Sequence, residues 1–332
     1  MRVYGSDAIR NVAFVGHGGS GKTTLVDALA FVSGASRRHG NIKDGTTLTD
    51  YTPDEIARQH SISLGLAYAE WMDTKLNLLD TPGYLDFFGE VVTGLHAADA
   101  AVVVVSGVSG VEVGTEKAWE VCDRLHLPRL IFVGQMDKEH ANFERVFADV
   151  KAHLSPKVLP VEVPIGEGST FRGIVNLFSG KSHIYKPGTK SGEYDEVEVP
   201  AEHQAEVKKY SDLLIETVAA TDDALIERYL GGEEIPREEV IAALKTAVAA
   251  GSIVPLFVGS ATLTFGMRAL LTKMVEIFPA AADVPPPVDA PLLGRVFKTT
   301  SEPHVGDVTL FRLYAGTLKN GADVWNAEHE VA

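Results

Sequence analysis

Apolar residues in the first 154 positions follow two patterns that alternate along the chain. A strand is predicted at residues 11–15, and continuous apolar runs, typical of parallel strands covered on both faces, occupy residues 100–105 and 130–133. Residues 62–68 alternate between apolar and polar, which predicts a half-buried strand. Apolar residues at helical spacing predict helices over residues 23–32, 115–125 and 142–153. This order predicts an α/β fold with a doubly wound sheet, whose ligands bind at the carboxyl ends of the strands.

The pattern changes over residues 155–252. Strands are predicted at residues 158–163, 171–177 and 182–185, and helices at 201–220, 222–230 and 237–250. An apolar run at residues 253–258 and a helical repeat at 264–278 then resume the first pattern. Because the sheet needs this last strand and helix to close, we predict one domain over residues 1–283, with an α+β subdomain inserted at 155–252.

A proline-rich linker begins at Val284 and precedes a shorter C-terminal segment. Strands are predicted there at residues 292–296, 308–314 and 322–325, joined by turns such as Asn320-Gly321. So few strands cannot easily bury a core, and they would leave open edges. We therefore expect residues 284–332 to be an incomplete second domain, as in a truncated chain.

The composition is that of an ordinary globular protein, with 45% hydrophobic and 23% charged residues. No apolar run is long enough to cross a bilayer, and the first residues lack the apolar core of a signal peptide. We therefore expect a cytoplasmic protein with no membrane partner. The net charge of −15 argues against sequence-specific DNA binding. The single cysteine, Cys122, cannot form an internal disulfide.

The candidate chemistry begins at a glycine-rich turn between the first strand and the first helix. Its residues match the phosphate-loop pattern G-x-x-x-x-G-K-[ST] and are Gly16-His17-Gly18-Gly19-Ser20-Gly21-Lys22-Thr23. We expect backbone N–H groups of this loop and of Thr24 to hold phosphate oxygens. Lys22 would reach the β- and γ-oxygens, and the Thr23 hydroxyl would bind magnesium. The glycines alone also fit a dinucleotide-binding pattern, but the Lys22-Thr23 pair favours the phosphate loop.

Three later strand ends carry residues that suit a guanine nucleotide. Asp80, after an apolar run, would hold a magnesium-bound water, and the N–H of Gly83 would meet the γ-phosphate. Asp137 can accept from the N1 and N2 hydrogens of guanine, which adenine lacks. A backbone N–H of Ser260-Ala261 can reach the guanine O6. The ordered set predicts a site for GTP and GDP with magnesium.

The chain resembles the translational GTPases of the elongation factor G class, and especially the elongation-factor-G-like paralogues. The resemblance extends from Arg10 to about Asn326 and includes, besides the phosphate loop, the stretches DTPGYLDF, LPRLIFVGQMDK and FVGSAT. In the insertion, IGEGSTFRGIVNLFSGK and LIERYLGGEEIPREEVIAALK resemble the subdomain that the tRNA-delivering factors lack. Residues 308–326 resemble the opening strands of the family's second, β-barrel domain, which makes 284–332 an incomplete β-barrel domain.

The resemblance implies a cytoplasmic P-loop NTPase fold that uses GTP and magnesium on the ribosome. The acidic insertion would contact the ribosomal stalk protein, and we expect the protein to be a monomer. Ser61 aligns with the family's magnesium-binding threonine, so the implied metal ligands are Thr23, Ser61 and Asp80. The implied catalytic groups are Lys22, Gly83 and the residue at the position of the family's catalytic histidine.

That position holds Tyr84, and other residues near it also depart from the family. Gly18 and Gly19 replace a bulky apolar residue and an aspartate. A phenol can donate a hydrogen bond but cannot carry the positive charge of an imidazolium at neutral pH. We therefore expect Tyr84 to fill the space that Gly18 leaves open more than to catalyse, and we expect slow turnover.

The base-binding motif also differs from that of the family. Gly134-Gln135-Met136-Asp137 stands where the family has Asn-Lys-x-Asp, so Gln135 could only partly cover the base, and guanine recognition should be weakened. Two alternatives stay open. One is a nucleotide-binding ribosome regulator that hydrolyses little, and the other is an unrelated P-loop ATPase or kinase, against which the insertion argues.

Overall fold

The computed structural model describes residues 2–186, 188–189, 191–286, 288–289, 291–302 and 305–327. Its strands are β1 (Ile9–Val15), β2 (Gly65–Trp71), β3 (Thr74–Asp80), β4 (Ala100–Ser106), β5 (Arg129–Gly134), β6 (Val158–Pro160), β7 (Glu162–Ile165), β8 (Gly173–Asn176), β9 (Lys181–Tyr185), β10 (Tyr194–Glu198), β11 (Val254–Val258), β12 (Leu293–Glu302) and β13 (Gly306–Ala315). Its α-helices are α1 (Lys22–Val32), α2 (Pro53–Arg58), α3 (Phe88–Ala97), α4 (Val113–Arg124), α5 (Phe143–His153), α6 (Gln204–Ala219), α7 (Asp223–Leu230), α8 (Arg237–Ala249) and α9 (Met267–Ile277). Within these ranges, no helix has the length and apolar character needed to cross a membrane.

The large sheet has the strand order β2-β3-β1-β4-β5-β11-β6. β2 is antiparallel to β3, and the other neighbouring strands are parallel. All residues of β4 are buried, and because successive side chains point to opposite faces, both faces of the sheet are covered. The predicted fold class is confirmed. The carboxyl ends of β1, β3, β5 and β11 lead directly into the four predicted nucleotide-binding segments.

The segment 155–252 contributes to two sheets. β6 pairs with β11 in the large sheet, whereas β7 to β10 form an antiparallel sheet in the order β10-β9-β8-β7. The single strand predicted at residues 158–163 is therefore two strands, which separate at Val161. β10 was not predicted because its sequence, YDEVE, is polar and largely exposed; it forms by pairing with β9.

Two elements near the phosphate loop also differ from prediction. No helix or strand was predicted over residues 37–60, but they contain α2, which begins with a capping box between Thr52 and Glu55. α3 was not predicted, since Gly89 and Gly94 are poor helix formers. It forms because Val91 and Leu95 are buried in the core.

The C-terminal strands β12 and β13 pair with each other in an antiparallel sheet. Arg312 of β13 forms a buried ion pair with Asp99 and also donates to the carbonyl oxygens of Ala97 and Ala98, at the end of α3. The prediction of a strand at residues 322–325 is wrong. A strand needs a neighbour for its backbone hydrogen bonds, and in the described part of the chain no strand pairs with these residues.

Candidate functional site

The phosphate loop connects β1 to α1 through backbone conformations that favour glycine. Gly16, Gly19 and Gly21 have φ angles of 146°, 83° and 95°. A Cβ on Gly16 would also collide with the Val104 carbonyl of β4. The loop is thus shaped for close approach of its backbone to a phosphate group, with the first turn of α1 directly behind it.

Lys22 and His17 have different surroundings within this loop. The Lys22 ammonium is buried and donates to the carbonyl oxygens of Gly16 (3.0 Å) and His17 (2.8 Å). Burial lowers the pKa of Lys22, and the nearby carboxylate of Asp80 partly opposes this. The His17 ring faces the start of α4, where its Nδ1 accepts from the N–H of Gly114 (3.2 Å). The ring of His17 therefore supports the loop from outside.

Oxygen atoms suited to magnesium meet beside Lys22. The hydroxyl oxygens of Thr23 and Ser61 are 2.9 Å apart, which is about the separation of two adjacent ligands of an octahedral Mg²⁺ ion with bonds of about 2.1 Å. The Asp80 carboxylate is buried; its Oδ2 accepts from Thr49 (2.6 Å) and its Oδ1 has no partner. Burial raises the pKa of Asp80. These hard oxygen donors fit a magnesium ion that keeps some of its water ligands.

The segment after β3 touches the phosphate loop through Gly83. A Cβ at this position would collide with Lys22 Nζ and would lie 2.6 Å from the backbone nitrogen of Gly18. Only glycine can approach so closely. The backbone of residue 83 is therefore held against the end of the loop where the γ-phosphate of a nucleotide is expected.

Tyr84 follows and lies over Gly18. A Cβ on Gly18 would lie 3.2 Å from two ring atoms of Tyr84, so the ring occupies the place where a side chain at residue 18 would begin. The ring also packs against His60, with the ring centroids 4.6 Å apart. Tyr84 is 44% exposed, so this contact closes the site only in part.

Gln135 contacts the phosphate loop, where the sequence suggested a partial cover for the base. Its Nε2 donates to the Gly19 carbonyl (2.9 Å), and its Oε1 accepts from the Ser106 hydroxyl (2.7 Å). Both ends of the amide are thereby used, and the side chain ties the loop to the end of β4. Gln135 therefore braces the phosphate loop.

The base-binding residues lie after β5 and β11. Asp137 retains a buried carboxylate oxygen, Oδ1, without a hydrogen-bond partner. The N–H of Ser260 already donates to the Phe265 carbonyl (3.0 Å), and its hydroxyl accepts from the N–H of Leu263 (3.1 Å). Ser260 therefore shapes the turn, which leaves the neighbouring Ala261 N–H as the donor that could meet a base oxygen.

A cavity of about 190 Å³ joins most of these groups. The predicted residues that line it are Gly18, Gly19, Gly21, Lys22, Thr23, Thr24, Ser61, Gly83, Tyr84 and Gln135. Ser20 and Asp80 are buried beside it. Gly16, His17, Asp137, Ser260 and Ala261 do not line it.

The comparison with known proteins agrees with this geometry. The family model described as the elongation factor Tu GTP binding domain matches residues 7–280. The chain belongs to this family. The match indicates a GTP-binding protein of the translational GTPase type, in a family that comprises GTP-hydrolysing enzymes.

A solved structure is similar to nearly the whole length of this GTPase-family protein. The crystal structure of ttk003000868 from Thermus thermophilus superimposes with a TM-score of 0.87 at 39% sequence identity. The match covers 96% of this chain but 47% of that one, so the chain spans less than half of the relative's length.

Sequence reasoning missed four residues that line the cavity, Ile42, Asp50, Gln59 and His60. Two of them, Asp50 and His60, have ionisable side chains. Asp50 is buried with both carboxylate oxygens unpartnered, and burial raises its pKa. Both residues lie in a polar stretch without periodicity, so no pattern of the sequence indicated burial. The one available signal was their closeness in sequence to Ser61.

Proposed function

We propose that this GTPase-family protein binds GTP with magnesium and hydrolyses it slowly, as an elongation-factor-G-like translation factor that acts on the ribosome. The observation that carries the proposal is the contact of Gly83 with Lys22 and the phosphate loop, next to the paired hydroxyls of Thr23 and Ser61. This is the arrangement in which backbone donors, a cation and a metal converge on one phosphoryl group.

The roles of the chain's own residues follow from these positions. Loop N–H groups and Lys22 would hold the β- and γ-phosphates and offset the charge that develops on them. Thr23 and Ser61 would bind the metal, and Asp80 would hold one of its waters. Magnesium, when bound, supplies further positive charge to the phosphate oxygens. The N–H of Gly83 would hold the γ-phosphate in line for attack by water.

Guanine selectivity would depend on Asp137 and the Ala261 N–H. The unpartnered Oδ1 of Asp137 supports the first role, because guanine offers two N–H donors to a carboxylate. Gln135, held by Gly19 and Ser106, is not free to lie over the base. We therefore propose weaker guanine binding than in relatives with a lysine at this position.

Slow hydrolysis is proposed because the ring of Tyr84 occupies space beside Gly18 and carries no positive charge at neutral pH. The same contact favours a second candidate, a nucleotide-binding ribosome regulator with little hydrolysis. Contacts with the ribosome and its stalk protein, and a cytoplasmic location, are proposed by resemblance to translational GTPases. An unrelated ATPase is disfavoured by the family match over residues 7–280.

The test is equilibrium binding of a fluorescent GTP analogue with magnesium, competed by GTP, GDP and ATP. We expect GTP and GDP to compete and ATP not to. Equal competition by ATP, or no binding, would contradict the guanine site. Hydrolysis is then measured with and without ribosomes; stimulation supports the translation factor, and unstimulated, negligible turnover supports the regulator.

A further inference from the structure

His60 lies at the same end of the cavity as Tyr84 and has no assigned role. It lines the cavity together with Lys22, Gly83 and Tyr84. Its ring packs against Tyr84, with a centroid distance of 4.6 Å, and more loosely against Phe87, at 6.2 Å. The next residue, Ser61, lies 2.9 Å from Thr23 through its hydroxyl. An imidazole thus lies between the candidate metal ligand and the residue that replaces the family's histidine.

The hydrogen bonding of His60 defines which ring nitrogen is free. Nδ1 lies 3.3 Å from the carbonyl oxygen of Ser61. A carbonyl oxygen can only accept, so Nδ1 must carry the proton in this contact. In the neutral imidazole the other nitrogen, Nε2, then has a lone pair and can accept a hydrogen bond. An acceptor of this kind is what an attacking water molecule needs for its orientation.

We propose that His60 orients the attacking water during GTP hydrolysis, a role that rests on the proposed GTPase function. The water donates one hydrogen bond to His60 Nε2, which aims its oxygen lone pair at the γ-phosphorus. A bond forms between that oxygen and the γ-phosphorus while the bond from this phosphorus to the β–γ bridging oxygen breaks. The bridging oxygen keeps the electron pair and leaves with GDP, and the proton of the water ends on the released phosphate.

Tyr84 is a positioning residue in this arrangement. Its ring packs against His60, is itself next to Gly18, and so limits the orientations open to the imidazole. The absence of a side chain at residue 18 makes room for this stack. In this way the imidazole lost from position 84 is replaced by one from the segment before β2.

The test compares two matched variants of the full chain, His60→Phe and His60→Gln. Phenylalanine keeps a flat ring against Tyr84 but removes both nitrogens, whereas glutamine keeps a hydrogen-bond acceptor. We expect the single-turnover rate on bound GTP to fall roughly tenfold to a hundredfold in H60F, and less in H60Q. Affinity for GDP should stay within about twofold, and affinity for GDP with aluminium fluoride should fall in parallel with the rate. The control is His153→Ala, an exposed change in the last turn of α5.

The outcomes separate the two proposals. If the unaltered protein hydrolyses GTP and H60F matches its rate, the role of His60 is overturned while the GTPase function stands. If H60F loses GDP affinity as strongly as rate, His60 serves the fold of the site, and its role with water is again overturned. If the unaltered protein binds GTP but forms no GDP under any condition, the hydrolytic function and the role of His60 both fail.

Discussion

At the scale of single residues, some residues of the site could be predicted from the sequence and others could not. Lys22 and Gly83 could be predicted because each belongs to a motif whose spacing has a chemical reason. Gln135 was placed in the right motif, but its partner, the Gly19 carbonyl, depends on a loop more than a hundred residues away. Asp50 and His60 could not be predicted as site residues, because only the path of residues 37–64 brings them to the cavity.

Replacing Tyr84 with histidine should raise the rate of GTP hydrolysis, by roughly tenfold or more. A protonated imidazole at this position can offset developing phosphoryl charge, which neither the phenol of Tyr84 nor the neutral imidazole proposed for His60 does. The measurement is single-turnover hydrolysis, and the matched variant is Tyr84→Phe, which keeps the ring contact with Gly18 and should give no increase. An unchanged rate in Y84H would contradict the view that Tyr84 mainly fills space.

Replacing Gln135 with alanine should weaken the binding of GTP and GDP by about fivefold to tenfold, the effect of about 1 kcal/mol. The reason is the loss of the bonds to Gly19 and Ser106 that hold the phosphate loop. The measurement is competition by GTP and, separately, by tripolyphosphate, which has no base. If Gln135 holds the phosphate loop, the affinities for GTP and for tripolyphosphate should fall by similar factors. A loss of affinity for GTP alone would show that Gln135 acts on the base.

At the scale of elements, the continuous apolar strands were the most predictable part of the fold. The run at residues 100–105 became β4 because only a central strand can bury every side chain in succession. α3 escaped prediction, since its stability comes from the burial of Val91 and Leu95 and not from local preference. The strand at residues 158–163 was predicted as one element because its apolar residues continue across Pro160, although this proline marks the end of β6.

The start of β7 carries a buried acid whose titration should affect stability. Glu162 is 1% exposed, its Oε1 has no partner, and burial raises its pKa to about 8. The folded state therefore holds this proton more tightly than the unfolded chain, whose glutamate has a pKa of about 4.3. The contribution of Glu162 to stability is fully present below that value and is lost as the pH rises through about 8.

Glu162→Gln should remove this dependence, since glutamine keeps an acceptor for the Val258 N–H without a titrating proton. We expect the variant to gain free energy of unfolding relative to the unaltered protein between pH 5 and 8, on the order of a few kcal/mol. The measurement is urea unfolding at several pH values. A difference between the two proteins that stays constant with pH would contradict the raised pKa.

At the scale of the whole molecule, sequence pattern predicted the class of fold but not which strands are neighbours. The order β2-β3-β1-β4-β5-β11-β6 brings β11 beside β5 although about 120 residues separate them in the chain. The sequence pattern also did not predict that β13 contacts α3. This contact depends on Arg312 and on Tyr314, whose hydroxyl donates to the His96 carbonyl, and nothing in the strand pattern singles out either residue.

Replacing Arg312 with methionine should lower the free energy of unfolding by about 3–5 kcal/mol. Methionine keeps much of the buried volume but leaves Asp99 and two carbonyl oxygens of the α3 end without their partner. Denaturant unfolding measures the loss. Adding Asp99→Asn to this variant should recover part of the lost free energy of unfolding, because the uncompensated charge is then gone. If the double variant instead loses the sum of the two single-variant losses, the ion pair is not what joins these elements.

The contact between Tyr84 and Gly18 also has a consequence for how such a sequence can evolve. Any side chain restored at residue 18 would press on the Tyr84 ring, and a smaller residue at position 84 would open a gap beside Gly18. A side chain can therefore return to residue 18 only after the ring at residue 84 has been replaced. The effect of a change at residue 18 thus depends on residue 84, and descendants that keep Tyr84 are expected to keep Gly18 as well.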